Sequence, residues 1–282
     1  MGEPQTPVFR FRTVPPVPMA LPAPLAFGPP AAAEPFQWTG LPAERILRNV
    51  SAPRLYPVLP APGRGSGRAV LVVPGGGYRF VAIENEGLPV AQRLADAGHA
   101  AFVLAYRVRP TPAADADFEA EINREIAERA ASPRGLASDK LHFAPAVDDA
   151  RQAMRWLRAQ AGALGIDAAR LGFLGFSAGA HSGHTLVETA NPDEMPATLA
   201  LVYGGLQAAE PRAPVPPLFL AQAADDPLFP LDGFDLVQSW RRARQRVELH
   251  VYERGGHGFG SIPRGSTSDR WMDHYLAWLD RQ

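Results

Sequence analysis

Arg170-Leu171-Gly172-Phe173-Leu174-Gly175-Phe176-Ser177-Ala178-Gly179-Ala180-His181 joins a short apolar run to a segment of small side chains through a G-x-S-x-G pentapeptide at 175–179. The apolar run has the length and composition of a buried strand, and the small residues open a helix. A strand that turns abruptly into a helix at a serine holds that serine in a strained backbone conformation and leaves no room for bulky neighbours, which is the local chemistry of a nucleophile elbow. The turn lifts the hydroxyl into a cleft. A serine hydroxyl is a poor nucleophile until a base takes its proton, so the pentapeptide has meaning only if a histidine and a carboxylate accompany it.

Both follow, in the order nucleophile, acid, histidine, and each sits beyond a predicted strand. Pro217-Leu218-Phe219-Leu220-Ala221 reads as a buried strand and runs into Ala224-Asp225-Asp226-Pro227-Leu228-Phe229-Pro230. Val247-Glu248-Leu249-His250-Val251-Tyr252 alternates like a strand and ends in Gly255-Gly256-His257-Gly258-Phe259-Gly260, whose glycines let a loop carry the imidazole over Ser177. His257 is the expected general base, and Asp226 the expected carboxylate that fixes its tautomer. Asp225 is the competing acid. Asp226 is preferred because it precedes Pro227 directly and stands four residues before Pro230.

Acyl transfer also needs donors for a developing oxyanion. Ala69-Val70-Leu71-Val72-Val73 is a continuous apolar strand ending in Pro74-Gly75-Gly76-Gly77-Tyr78. The amides of Gly76 and Gly77, with that of Ala178 after the nucleophile, are the expected oxyanion hole. Taken alone, the pentapeptide is a weak signal in a chain rich in alanine and glycine, and a glycine triplet after a strand is also found in tight turns and phosphate loops. The conjunction in one order, each piece at a strand end, points to serine-dependent hydrolysis.

Between these motifs the chain alternates strand and helix. Residues 88–97 read as a helix stopped by Gly98, 101–105 as a buried strand, 147–160 as a helix with a stripe at Val147, Ala150, Met154 and Leu157, and 199–203 as a strand. Arg151, Arg155 and Arg158 read as that helix's solvated face. Residues 231–243 and 268–280 read as the last two helices. Such alternation implies a mainly parallel sheet with helices on both faces. Residues 111–143 interrupt it. Phe118, Ile122 and Ile126 recur there at helical spacing among charges, which suits either a cap beside the cleft or a packed surface excursion. Tyr78 and Phe259 are candidates for the pocket wall, with a core position as the alternative. His181 and His184 lie three apart on the helix after Ser177, but no third ligand is visibly coupled to them, so no metal site is expected.

At 282 residues, 46% of them hydrophobic, one large core is affordable and one domain is the economical reading. It is expected over residues 53–282, preceded by a proline-rich arm over 1–52. The formal net charge of -1 and the lack of a long basic run recommend no nucleic-acid partner. The chain has no cysteine, which removes disulfides, thiolate metal sites and a cysteine nucleophile together while leaving the compartment open. No apolar stretch is long enough to span a bilayer. Arg10 and Arg12 precede an apolar run from Val14 to Ala33 that has the outline of a signal peptide, but its prolines break the helical core such a segment needs.

Pro74-Gly75-Gly76-Gly77-Tyr78, Glu86-Gly87, Tyr106-Arg107, residues 145–151, Gly175-Phe176-Ser177-Ala178-Gly179 and Gly256-His257-Gly258-Phe259 together resemble the α/β-hydrolase superfamily. More narrowly they are similar to its acetylxylan-esterase-like group, relatives of dienelactone hydrolases and of hormone-sensitive-lipase-type esterases. The resemblance spans roughly Pro53 to the C-terminus. It implies the α/β-hydrolase fold and a cofactor-free serine esterase that removes acetyl or other small acyl groups from carbohydrates or small esters. Feruloyl esterase, lipase or peptidase chemistry on the same scaffold is the alternative, as is a binding protein that keeps the scaffold without turnover. The chain departs from many relatives at Ala180-His181 and in the polar insertion after Tyr106-Arg107.

Overall fold

The structure is a computed structural model that describes residues 21–28, 36–41, 44–131 and 141–282. The expected arm and its signal-like run lie largely outside these residues. In chain order the elements are β1 (Gln37–Gly40), β2 (Arg45–Arg48), β3 (Arg54–Val58), β4 (Ala69–Val73), β5 (Phe80–Val81), α1 (Leu88–Asp96), β6 (Ala100–Ala105), α2 (Asp115–Ala130) and α3 (Ala144–Ala159). There follow α4 (Ala161–Leu164), β7 (Leu171–Phe176), α5 (Ala178–Thr189), β8 (Leu199–Val202), β9 (Leu218–Ala223), α6 (Asp235–Arg242), β10 (Val247–Tyr252) and α7 (Trp271–Leu279).

Seven strands form the central sheet in the order β10-β9-β8-β7-β4-β6-β3. Only β3 runs antiparallel to its neighbour; the other pairs are parallel. Every residue of β4, β6, β7, β8 and β9 is buried, which follows from parallel pairing that leaves both faces under helices. These strands therefore read as unbroken apolar runs. The chain leaves β4 for β6 on one side and returns to β7 on the other, so the sheet reverses direction at β4. Register pairs Val73 with Gly175, bringing the carboxyl ends of β4 and β7 together at that switch point, where open α/β sheets place their clefts.

Two glycines of the pentapeptide are there because backbones touch. A Cβ on Gly179 would lie 2.0 Å from the Val73 carbonyl oxygen, and one on Gly175 would lie 2.4 Å from the Gly179 carbonyl oxygen. Both clashes are with main chain, so no side chain can rotate away to relieve them. Helix α5 can start directly against β4 only without these methyl groups.

Several stretches differ from their sequence reading. Within the segment read as an arm, β1 and β2 form a hairpin that extends through β5 into a three-stranded antiparallel sheet. The fully buried Arg48 guanidinium ties this hairpin to the start of α2, donating to Thr111 Oγ1 at 2.9 Å, to the Pro112 carbonyl at 2.5 Å and to Asp115 Oδ1 at 2.6 Å. Phe118, Ile122 and Ile126 of α2 then pack with Leu41, Ile46, Phe80 and Ala82 in a small second core. Helix α6 starts four residues later than expected, because Pro230 and Gly233 hold the chain in a loop. The last helix opens with a 3₁₀ turn over Thr267–Arg270. Arg151 and Arg155 of α3 reach Glu194, and Arg158 donates to the Asp193 and Met195 carbonyls, so these arginines bind a loop while remaining on the helix's solvent side.

Gly179→Ala is expected to destabilise the protein by about 3 kcal/mol or more, since the added methyl meets rigid main chain. Gly162→Ala, in α4 with nothing within 4 Å of the added Cβ, is the control and is expected to be neutral or slightly stabilising. Urea unfolding of both variants measures the difference; equal stabilities would mean that the elbow tolerates a side chain at 179.

Candidate active site

Ser177 stands between β7 and α5 with φ 48° and ψ −115°, in the left-handed half of conformational space that a non-glycine residue enters only when its surroundings force it. Two bonds hold it there. Its amide donates to the Val202 carbonyl at 3.0 Å, and its own carbonyl accepts from the His181 amide at 3.0 Å as the first turn of α5.

The loop after β10 brings His257 onto the serine. Gly256 and Gly258 flank it with φ of 61° and 75°, and the His257 Nε2 lies 2.9 Å from Ser177 Oγ. On the other side Nδ1 lies 2.8 Å from Asp226 Oδ2. Asp226 is buried, and its second oxygen accepts the Leu228 and Phe229 amides at 2.8 and 3.1 Å. Asp225 points elsewhere. Its carboxylate accepts the Gly256 amide at 2.7 Å and so holds the histidine loop without touching the imidazole. The ring of His257 lies between Tyr203, edge-on at 5.0 Å, and Phe229 at 5.4 Å. Burial alone would lower the imidazole pKa, but the Asp226 charge and hydrogen bond, with Glu86 behind them, outweigh it and raise the value above that of an ordinary histidine.

The glycine loop after β4 lies against the serine: a Cβ on Gly75 would come within 2.7 Å of Ser177 Cβ. The Gly75 amide is committed, donating to Glu86 Oε2 at 2.5 Å. Those of Gly76 and Gly77 have no acceptor among the described residues, and both glycines line the cleft beside Ser177. Gly76 adopts φ 126°, and a Cβ there would fall 2.1 Å from the Phe80 carbonyl oxygen, so the loop requires glycine at that position. Ala178 is the first residue of α5, where an amide has no partner within the helix.

The cleft encloses about 250 Å³. Its apolar lining comes from Leu41, Phe80, Ile122, Ile126 and Leu141, so α2 and the N-terminal hairpin both reach it. Glu44, Arg79, Asn85, Glu86, Glu125 and Arg264 add polar groups to the lining. Burial, reinforced by the neighbouring Glu86 and Glu84, pushes the Glu44 carboxyl up to about 8.

Tyr78 and Phe259 do not belong to the pocket wall. Tyr78 is buried behind the glycine loop, its hydroxyl 3.0 Å from Ser182 Oγ and its ring edge-on to Tyr106. Phe259 is buried against Tyr203, with ring centres 4.6 Å apart. Each follows a glycine loop and turns into the core, while Leu228 and Phe229 of the acid loop line the cleft instead. The ring of His181 packs on Phe229 at 5.0 Å, and the His184 Nε2 lies 3.8 Å from Glu188 Oε1. Among the described residues no three histidine or carboxylate side chains are grouped as metal ligands. Asn85, Tyr203, Glu44 and Arg264 carry no motif; Asn85 stands in the acidic stretch at 83–87 after the glycine loop, and the other three have no local signal of a role in the cleft.

The family model BD-FAE matches residues 131–203, the segment that leads into and through the elbow. An acetylxylan esterase from Xylanibacter ruminicola is 24% identical over 253 residues, 77% of this chain and 46% of that protein, so the chain spans about half the length of this curated relative. An acetyl ester-xyloside bifunctional hydrolase from Caldicellulosiruptor lactoaceticus superposes with a TM-score of 0.60 at 23% identity, covering 82% of this chain and 88% of that one. MGS-M1, an alpha/beta hydrolase enzyme from a Medee basin deep-sea metagenome library, superposes with a TM-score of 0.59 at 26% identity over 82% of this chain and 91% of that one. The strand order, the strained serine at the switch point and these likenesses agree on the α/β-hydrolase fold.

Proposed function

We propose that the chain is a serine esterase that cleaves short-chain carboxylic esters, acetyl esters of polyhydroxy alcohols above all, through an acyl-enzyme. The observation that carries the reading is the unbroken relay Ser177 Oγ to His257 to Asp226, at 2.9 and 2.8 Å, seated on a strained elbow. In the first step Oγ attacks the ester carbonyl carbon as His257 Nε2 takes the hydroxyl proton. The carbonyl oxygen, now negative, is received by the amides of Gly76, Gly77 and Ala178. Collapse breaks the bond to the alcohol oxygen, and His257 returns the proton to it. Water, deprotonated by the same imidazole, then releases the carboxylic acid and restores Ser177. Asp226 holds the imidazole in the tautomer that accepts from Oγ and stabilises the imidazolium.

The acyl size is supported by the acetyl chemistry of two similar proteins, an acetylxylan esterase and an acetyl ester-xyloside hydrolase. A lining that mixes polar and apolar side chains suits an alcohol that is neither wholly greasy nor charged. Helix α2 serves as a cap beside the serine, lining the cleft through Ile122, Glu125 and Ile126.

Ser177→Ala is expected to lower kcat by roughly a thousandfold or more and to abolish labelling by a serine-directed phosphonate, with circular dichroism unchanged. Wild-type turnover in that variant, once contamination is ruled out, would remove the nucleophile assignment. For the acid, Asp226→Asn is expected to cost far more than Asp225→Asn, roughly a thousandfold against less than tenfold in kcat, because only the first turns the imidazole tautomer. Equal, mild losses would place the acid elsewhere. Across acetyl, butyryl, octanoyl and feruloyl esters, kcat/KM is expected to be highest for acetyl, since extra methylenes must displace packed side chains. A maximum at octanoyl would make the enzyme lipase-like, and one at feruloyl a phenolic-acid esterase.

A further inference from the structure

Directly after the glycine loop the chain makes a wide π-helical turn over Ile83–Gly87, a form of helix that is rare and concentrates at functional sites. Its two central polar side chains, Asn85 and Glu86, are buried and reach the two loops that carry the oxyanion amides and the base. Glu86 Oε2 accepts the Gly75 amide at 2.5 Å, and Oε1 accepts the Tyr203 hydroxyl at 2.9 Å. That hydroxyl in turn accepts the Gly260 amide at 3.2 Å. Asn85 holds the same loop a second time: its Oδ1 accepts the Ser261 and Ile262 amides at 2.8 and 3.1 Å, and its Nδ2 donates to the Gly258 carbonyl at 3.0 Å. Gly260 is pressed so closely on Asn85 that a Cβ there would meet the amide at 2.5 Å.

Building on the esterase reading, we propose that Glu86 is a positioning residue that orients the oxyanion donors and, through Tyr203, the histidine loop around Ser177. The chemistry follows from direction. Gly75 lies beside Ser177, and turning its amide into Glu86 fixes the peptide plane so that the next amides, Gly76 and Gly77, are the ones left for the cleft. A buried carboxylate that two donors point at is rigid, and rigid donors are what distinguish a pre-formed oxyanion hole from a mobile loop. Glu86 also places a second carboxyl behind His257, where a negative charge favours the imidazolium formed at each proton transfer. The groups that face Glu86 are Tyr203 and the Gly75 amide as donors, His257 and Arg264 as cations, and Glu44 as a like charge. Burial raises the Glu86 carboxyl, and those donors and cations oppose that rise.

Glu86→Gln keeps the size of the side chain but removes its charge and replaces one of its two acceptors with a donor, so Gly75 and Tyr203 can no longer both donate to it. With p-nitrophenyl acetate, kcat is expected to fall about 30-fold or more while KM stays within threefold, the signature of a lost transition-state interaction. The acid limb of kcat/KM is expected to move to lower pH, because His257 loses a charge that raises its pKa. Tyr203→Phe, which keeps the ring on His257 and removes only the hydroxyl, is expected to show a smaller loss of the same kind, and it carries the test if Glu86→Gln does not fold. Wild-type kcat in folded Glu86→Gln, or a fall in kcat with the acid limb unmoved, would assign Glu86 to packing alone and overturn the proposal. Phosphonate labelling of wild-type Ser177 separates this outcome from failure of the esterase reading, which would show as an unlabelled, inactive wild type.

Discussion

Main chain pressed against main chain at the switch point is the constraint on which the site rests. Helix α5 begins against the end of β4 with only glycine between them, and that contact decides where Ser177 sits, how its backbone is twisted and which loop lies beside it. A strained non-glycine residue costs about 1–3 kcal/mol and persists only where its surroundings over-determine it. Here the surroundings are the fully buried strands β4, β7 and β8, with the Ser177 amide bonded to the Val202 carbonyl at the end of β8. The hydrophobic sheet thus supplies the energy that keeps Ser177 in an otherwise unfavourable conformation. Core and chemistry are the same structural fact seen from two ends.

How much of this was legible in the sequence depended on whether a feature is local. The fully buried parallel strands appear as continuous apolar runs, so β4, β6, β7, β8 and β9 could be read directly, and their alternation with helical segments pointed to the parallel sheet. Ser177, His257 and the glycine triplet announce themselves because strained turns and close approaches restrict residue choice. The hairpin at residues 37–48 did not. Its strands are four residues long and partly exposed, and what fixes them is the distant Arg48 to Asp115 contact, which no local pattern encodes. Tyr78 and Phe259 stand next to functional glycines, but adjacency in sequence says nothing about which way a side chain turns. Both turned inward, and Phe229, placed in the same acid loop as Asp226, took the pocket side. Asp225 and Asp226 show the same limit: neighbouring residues on a turn point apart, and both carboxylates found work, one on the imidazole and one on the loop that carries it.

The cleft divides its two tasks between different parts of the chain. Ser177, Asp226, His257 and the glycine triplet sit on loops at the carboxyl edge of the central sheet, after β7, β9, β10 and β4. Other lining residues come from α2 and the hairpin, which share a small core of their own and are joined by the buried Arg48 guanidinium. A buried arginine is tolerated because its donors are spent on Thr39, Thr111, two carbonyls and Asp115, so little charge is left unpaired. Arg79 adds a second tie to α2 through Glu121 and Glu125. The two parts meet at the glycine loop: Arg79 and Phe80 donate their amides to the Gly76 carbonyl and reach α2 through Glu121 and Phe118. They meet again at the turn over residues 83–87, where Glu86 lines the cleft and grips the glycine loop at once.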